Sequence, residues 1–370
     1  MYIVYDVFMD KKPAIIKPLK SNGLGLDYNV FAEELSVAEY ALGLLEGSQK
    51  KLQNADLLIS PLTAKEAATS SKIEGTQSDV ADVFMFEAGG TTKHSDTREV
   101  VNYRRAMKLA MAEIRKGREV SSNIIESLHG VLLDHVRHSG LLGRFREGQV
   151  WIAQRAGDPI EKAIYIPPQP IHVKGLIDNL FDYINSGKEN SLIKSGIAHY
   201  QFEAIHPFDD GNGRIGRLLI PLVLYKEKRL SSPILYLSGY FDKNRDEYID
   251  RLHGVDEGDD LEVWLKFYLH SVAEQLKETQ RLIEDIYSLY DKMRDLSAGG
   301  KSPYVIPFIE MLFMSPIFTI KMVQDYTKCS SYITATSLIK IFQAKKLISN
   351  IGKIGRNKLY RFNALLKIIE

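Results

Sequence analysis

The string His206-Pro-Phe-Asp-Asp-Gly-Asn-Gly-Arg-Ile-Gly-Arg217 constrains this chain more than any other stretch of it. Gly211, Asn212 and Gly213 let the backbone turn tightly, and an apolar helix, Asn212–Lys226, opens on that turn. A helix that starts this way leaves its first N–H groups facing an open site, where the helix dipole favours an anion. Asp210 supplies a hard oxygen suited to Mg²⁺ shared with polyphosphate oxygens. Arg214 and Arg217, three residues apart, both point toward the open end of the helix. His206 is the nearby side chain that titrates in the physiological range, and Phe208 is placed to pin the loop into the core. A base, a metal ligand, an anion cradle and two cations describe phosphoryl or nucleotidyl transfer.

The rest of the chain predicts a mainly helical protein of two or three domains. Apolar spacing gives helices over 30–45, 62–74, 80–87, 100–116, 124–136, 176–184, 192–205, 212–226, 246–252 and 264–292. Pro221 lies well inside its helix, where proline costs about 3 kcal/mol, so a kink or opened turn is expected there. Val150-Trp-Ile and Ile164-Tyr-Ile, separated by Gly157-Asp158-Pro159, read as a β-hairpin. Ala298-Gly-Gly-Lys-Ser-Pro reads as a linker, after which 305–314, 320–327 and 333–344 are helical and Gly352 and Gly355 turn between two short strands. The divisions that follow are 1–98, 99–275, 276–300 and 301–370.

A formal net charge of +1 gives no global attraction to nucleic acid or anionic membrane. A single cysteine, Cys329, excludes an internal disulfide framework and fits a reducing compartment. The opening residues carry no secretion signal and no stretch reaches the roughly 20 apolar residues of a membrane span, so a cytoplasmic protein is expected.

The 206–217 string resembles the signature of the Fic family, HPF-x-D-GNGR-x-x-R, at all nine specified positions. Leu128-His-Gly, Gly143-Arg-Phe-Arg146, Ile166-Pro-Pro168 and the Asn-Arg-Asp-Glu-Tyr248 segment resemble the family as well, so the likeness covers about 100–275 in detail. It implies a Fic-type helical core with a hairpin flap, an N-terminal helical region and a small C-terminal winged-helix domain. The implied activity is protein adenylylation, in which AMP passes from ATP to a Tyr, Thr or Ser hydroxyl of a target protein. By the same resemblance His206 is the general base and Asp210 holds Mg²⁺. Gly211, Asn212, Gly213, Arg214, Ile215, Gly216 and Arg217 bind the nucleotide, with Tyr248 near the adenine. The flap, Lys162, Ala163, Ile164, Tyr165 and Ile166, docks the target by strand-like pairing.

Ser70-Ser-Lys-Ile-Glu-Gly75 is a separate signal. Ser70 and Glu74 share one helix face, and Gly75 is placed as a left-handed helix stop. A carboxylate at the negative end of a helix needs a cation, for which Arg217 is the candidate. The stretch resembles the family's inhibitory motif (S/T)-x-x-x-E-(G/N), in which Glu obstructs a productive γ-phosphate. Residues 301–370 carry 11 Lys and Arg against 3 Asp and Glu, which suggests an acidic partner or weak DNA binding through helix 333–344. AMP removal, transfer of another phosphate-containing group and a DNA-binding regulator remain open alternatives. So do self-modification and a homodimer.

Overall fold

The computed structural model describes residues 12–49, 56–136, 140–153, 155, 157–232, 234–258, 260–297 and 302–370. The opening residues read for a secretion signal and the first part of the expected linker, 298–301, lie outside that set.

The N-terminal helices are α1 (Ala32–Gln49), α2 (Asp56–Ile73), α3 (Val80–Glu87) and α4 (Thr97–Arg115). α1 turns Ala38, Leu42 and Leu45 inward and packs along a later long helix. α3 starts where Asp79 and Asp82 cap each other's backbone N–H groups, a reciprocal capping box. α2 is enclosed on most sides, with Leu58, Leu62, Ala64, Ala67, Ser70 and Ser71 all buried.

The middle of the chain continues with α5 (Ser122–Leu132), a hairpin of β1 (Ile152–Ala153) and β2 (Ala163–Tyr165), α6 (Pro170–Ser186), α7 (Ser191–Ile205), α8 (Asn212–Lys226), α9 (Ser238–Lys243) and α10 (Arg245–Glu257). α7 and α8 pack against each other at the centre. Both are buried on nearly every face, which suits helices that carry apolar residues all round rather than along one stripe. α8 remains helical through Pro221, so no turn opens there. α9 escapes sequence reading because six residues are too few to show a period.

α11 (Leu261–Ser297) is one continuous helix, so the division predicted at 275/276 falls inside it. The C-terminal elements are α12 (Val305–Met314), β3 (Ile317–Thr319), α13 (Ile320–Thr327), α14 (Tyr332–Ala344), β4 (Ile348–Ile354), β5 (Asn357–Phe362) and α15 (Asn363–Ile369). Their sheet has the order β3-β5-β4, antiparallel throughout, with Gly355 at φ 57° in the β4–β5 turn. β3 and α15 are absent from the sequence reading. β3 is buried at all three residues and therefore shows no alternation. The segment is less separate than its composition suggests: Ser60 Oγ donates to the Met314 carbonyl at 2.6 Å and Lys65 Nζ to the Ile369 carbonyl at 3.0 Å. The C-terminal segment thus rests on α2. No helix among the described residues is long and apolar enough to cross a membrane.

Candidate active site

The signature loop joins the two central helices between a pair of left-handed residues. His206 (φ 49°) closes α7 with its N–H on the Phe202 carbonyl at 3.0 Å, and Gly211 (φ 80°) opens α8. A non-glycine residue at positive φ carries strain of about 1 kcal/mol or more, which its surroundings must hold in place. Arg146 does so. It is buried, its Nε donates to the His206 carbonyl at 2.9 Å, and its own N–H donates to the Pro207 carbonyl at 2.9 Å. His206 Nδ1 faces the Glu203 carbonyl at 3.4 Å. Since a carbonyl only accepts, this long contact favours the tautomer with the proton on Nδ1 and leaves the Nε2 lone pair available as a base. Burial, with the Arg146 charge adding to it, pushes the His206 pKa down to about 4 against the opposing effects of the Glu203 carbonyl and Glu74.

The loop is braced from inside. Asn212 Oδ1 accepts from the Phe208 N–H at 2.9 Å, and its Nδ2 donates to the Phe208 carbonyl at 2.8 Å. Its side chain is thereby committed to the loop backbone. Phe208 is fully buried and stacks on His129 with ring centroids 3.9 Å apart. His129 Nδ1 accepts from the Gly143 N–H at 3.0 Å, which leaves Nε2 to donate to the Asp210 carbonyl at 3.0 Å.

The two arginines have different partners. Arg217 donates from Nη2 to Glu74 Oε1 at 2.6 Å and to the Ser70 carbonyl at 2.9 Å, and from Nε to Ser70 Oγ at 2.9 Å. Burial opposes ionisation of Glu74, but the Arg217 charge and hydrogen bond outweigh it and hold the carboxyl below its ordinary value. Gly75 is left-handed, as its place after α2 predicts. Arg214 instead binds the Glu99 carboxylate and, from Nη2, Asp210 Oδ1 at 3.1 Å. It is buried behind the loop and does not line the cavity described next, and the fully buried Ile215 does not line it either. The expectation that both guanidiniums face the open end therefore holds for Arg217 alone. The difference comes from Glu99, a buried-side counter-ion that periodicity does not reveal.

A cavity of about 600 Å³ lies between the loop, the hairpin and α10. Glu74, Glu203, His206, Gly213, Arg217 and Tyr248 line it together. Of the hairpin residues predicted to matter, Tyr165 lines the cavity and donates its hydroxyl to the Ala204 carbonyl at 2.8 Å. Lys162, Ala163, Ile164 and Ile166 do not; the hairpin presents Trp151, Ile152, Ala153 and its turn instead. Ile164 points outward and is 40% exposed. Tyr248 pairs its hydroxyl with His199 Nε2 at 2.9 Å and stacks on Phe241 at 4.2 Å, beside Arg217. It lines the cavity together with Arg217. No group of three or more His, Cys, Asp or Glu among the described residues could hold a metal. Asp210 by itself offers one protein carboxylate, which fits a Mg²⁺ ion that takes its other ligands from phosphates and water.

Two family models match this chain, "Fic/DOC family N-terminal" over residues 32–112 and "Fic/DOC family" over 119–224. The chain belongs to the Fic/DOC family. Residues of a probable protein adenylyltransferase from Aquifex aeolicus are 35% identical over 97 positions, covering 26% of this chain and 28% of that protein. The protein adenylyltransferase Fic of Drosophila willistoni is 33% identical over 132 residues, 35% of this chain and 24% of the fly protein. The match thus spans under a third of either relative. A Fic family protein from Desulfovibrio desulfuricans superposes with a TM-score of 0.58 at 17% identity, over 93% of this chain and 98% of that one. A Fic domain containing signaling protein from Bacteroides thetaiotaomicron gives 0.52 at 19% identity, over 68% and 98%. These superpositions establish a Fic fold.

Within this Fic fold, Arg146, His129, Glu99 and Glu203 are site residues to which the sequence reading gives no role. His129 and Arg146 lie in stretches that resemble the family. His199 and Glu203 could have been found by spacing, since they lie four residues apart on one face of α7.

Proposed function

We propose that this Fic protein is a protein adenylyltransferase held in check by Glu74. One observation carries the reading: a neutral, backbone-anchored His206 lines the same cavity as the helix opening at Gly213 and the Arg217 guanidinium. In that arrangement a target hydroxyl loses its proton to His206 Nε2 as its oxygen forms a bond to the α-phosphorus of ATP. The bond from the α-phosphorus to the bridging oxygen breaks, and pyrophosphate leaves. The N–H groups at the start of α8 meet the growing negative charge. Arg217 is the residue for the terminal phosphate, and Asp210 is the one that would hold Mg²⁺, which when bound would neutralise phosphate charge. Arg214 supports Asp210 rather than gripping a phosphate.

The brake follows from competition. Glu74 takes the Arg217 N–H groups that a phosphate needs and covers Gly213, so a nucleotide must displace it. We keep the hairpin as the segment that would dock a target by main-chain pairing, which reads backbone shape more than side chains. For the last unit, the order helix–strand–helix–helix–strand–strand supports a winged-helix reading with α14 as its third helix.

The test is incubation with α-³²P-ATP and Mg²⁺ of the wild type, Glu74→Gly and Glu74→Gly/His206→Ala. Label on protein in the Glu74→Gly lane, absent with His206→Ala, is the expected outcome. No label in any lane with folded protein and a supplied target proteome would overturn the reading.

A further inference from the structure

Two glutamates rather than one share the cavity wall with Arg217. Gly213 and Gly216 lie one turn apart on the same face of α8. A Cβ on Gly213 would come within 2.2 Å of Glu74 Oε1 and 2.9 Å of Arg217 Nη1. One on Gly216 would come within 2.1 Å of Glu203 Oε1. The bare glycine face therefore seats one carboxyl on each of two successive turns, the first of them paired with Arg217. Among the described residues Glu203 Oε1 is buried without a hydrogen-bond partner, and Glu203 lines the same cavity as Glu74 and Arg217.

Resting on the nucleotide reading of this cavity, we propose that Glu203 is a positioning residue that exchanges with Glu74 at Arg217. It is neutral while Glu74 or a nucleotide phosphate pairs with Arg217, and ionised when neither does. One guanidinium in a low-dielectric site stabilises one carboxylate well and two poorly. With Glu74 in place, burial raises the Glu203 carboxyl to about 8, Glu74 adds to the rise and Arg217 opposes it. The other groups around Glu203 do not replace Arg217. On α7, burial pushes His199 down to about 3 and His206 to about 4, so both are neutral. α10 contributes Tyr248, Arg245 and His253 to the cavity wall, and the hairpin contributes Tyr165, Arg155 and Asp158. Removing Glu74 takes away the charge that adds to the rise caused by burial and frees Arg217, and the Glu203 carboxylate then turns to Arg217. An incoming phosphate chain reverses this: solvent supplies a proton to Glu203, and Arg217 passes to the phosphate.

The test is calorimetric binding of ATP with Mg²⁺ to Glu74→Gly in buffers of differing ionisation enthalpy. Between about pH 7.5 and 9 the phosphate chain and histidines no longer titrate, so uptake reports Glu203. Uptake is expected to be largest near pH 7.5 and to fade as pH rises past the Glu203 value of about 8, with affinity falling by less than tenfold per pH unit. Both effects should vanish in Glu74→Gly/Glu203→Gln while ATP still binds. Difference infrared spectra of Glu74→Gly on adding ATP read the same event without a change at 203, as a gained carboxylic-acid C=O band. ATP binding with neither proton uptake nor that band overturns the exchange and leaves the proposed activity standing. No ATP binding to folded Glu74→Gly overturns both.

Discussion

Glu74 Oε1 sits 2.6 Å from Arg217 Nη2, directly over the position that a side chain on Gly213 would occupy. A residue at the end of α2 thus closes the start of α8 from a distance of 143 residues along the chain. Ser70, one turn earlier, binds the same guanidinium twice and holds it ready for the carboxylate.

Replacing Glu74 with Gly should raise AMP labelling by about tenfold or more, since even ~1.4 kcal/mol of competition for Arg217 corresponds to that factor. Arg217 then loses a partner, so the melting temperature should also drop. The loss should be about 1–2 kcal/mol, less than for a fully buried pair, because the Glu74 side chain is 38% exposed. Labelling and differential scanning fluorimetry on the same variant check both.

Gly213→Ala separates breaking the brake from building the cradle. The added methyl would meet Glu74 Oε1 at 2.2 Å and Arg217 Nη1 at 2.9 Å. It should dislodge Glu74 yet yield no gain in label, because the same methyl occupies the phosphate seat. Labelling at the Glu74→Gly level would show that the cradle tolerates it.

Arg146 acts through His206 and not on substrate. In a Glu74→Gly background, Arg146→Lys should lower the transfer rate by about tenfold or more while changing ATP affinity much less. A lysine cannot span the His206 and Gly148 carbonyls, which Arg146 reaches at 2.9 and 3.0 Å. Separate measurement of kcat and KM distinguishes this from a general loss of fold, which would lower both.

At saturating ATP the pH profile of transfer should be flat above about pH 5 and fall below it, as His206 protonates through its lowered value of about 4. Rate against pH for Glu74→Gly gives the midpoint, and a midpoint near the ordinary 6.5 would contradict the buried, neutral base.

Stability has its own pH dependence. Burial raises Glu66 from 4.5 to about 7 and Glu203 from 4.5 to about 8. The folded state therefore binds more protons than the unfolded one across those ranges, and stability falls as pH rises through them. His199 and His206 are lowered from 6.5 and lose stability in the opposite direction, as pH falls below 6.5. Above about 6.5 the carboxyls act alone, so the melting temperature should decline from there to pH 8, and Glu66→Gln should flatten the slope.

The helices with a clear period were legible from residue order, α3, α8, α12 and α13 to the residue. So was the turn at Gly211, because only a few residue types let a backbone turn left-handed into a helix. The signature named the base and the cradle for the same reason: chemistry packed into one loop is local. Sequence also pointed from Glu74 to Arg217, since a carboxylate at a helix end requires a cation.

Which arginine faces the cavity was decided elsewhere. Arg214 and Arg217 are equivalent by spacing, and only the arrival of Glu99 from α4 and of Ser70 and Glu74 from α2 makes one a brace and the other a ligand. Arg146 reaches the His206 carbonyl from 60 residues away, and the Asn212 side chain clamps the Phe208 backbone. The sequence by itself determined the helical architecture and the chemical parts, because local propensity and a contiguous motif carry them. Tertiary structure decided how those parts are charged and paired, because burial and counter-ions come from segments that meet only when the chain is folded.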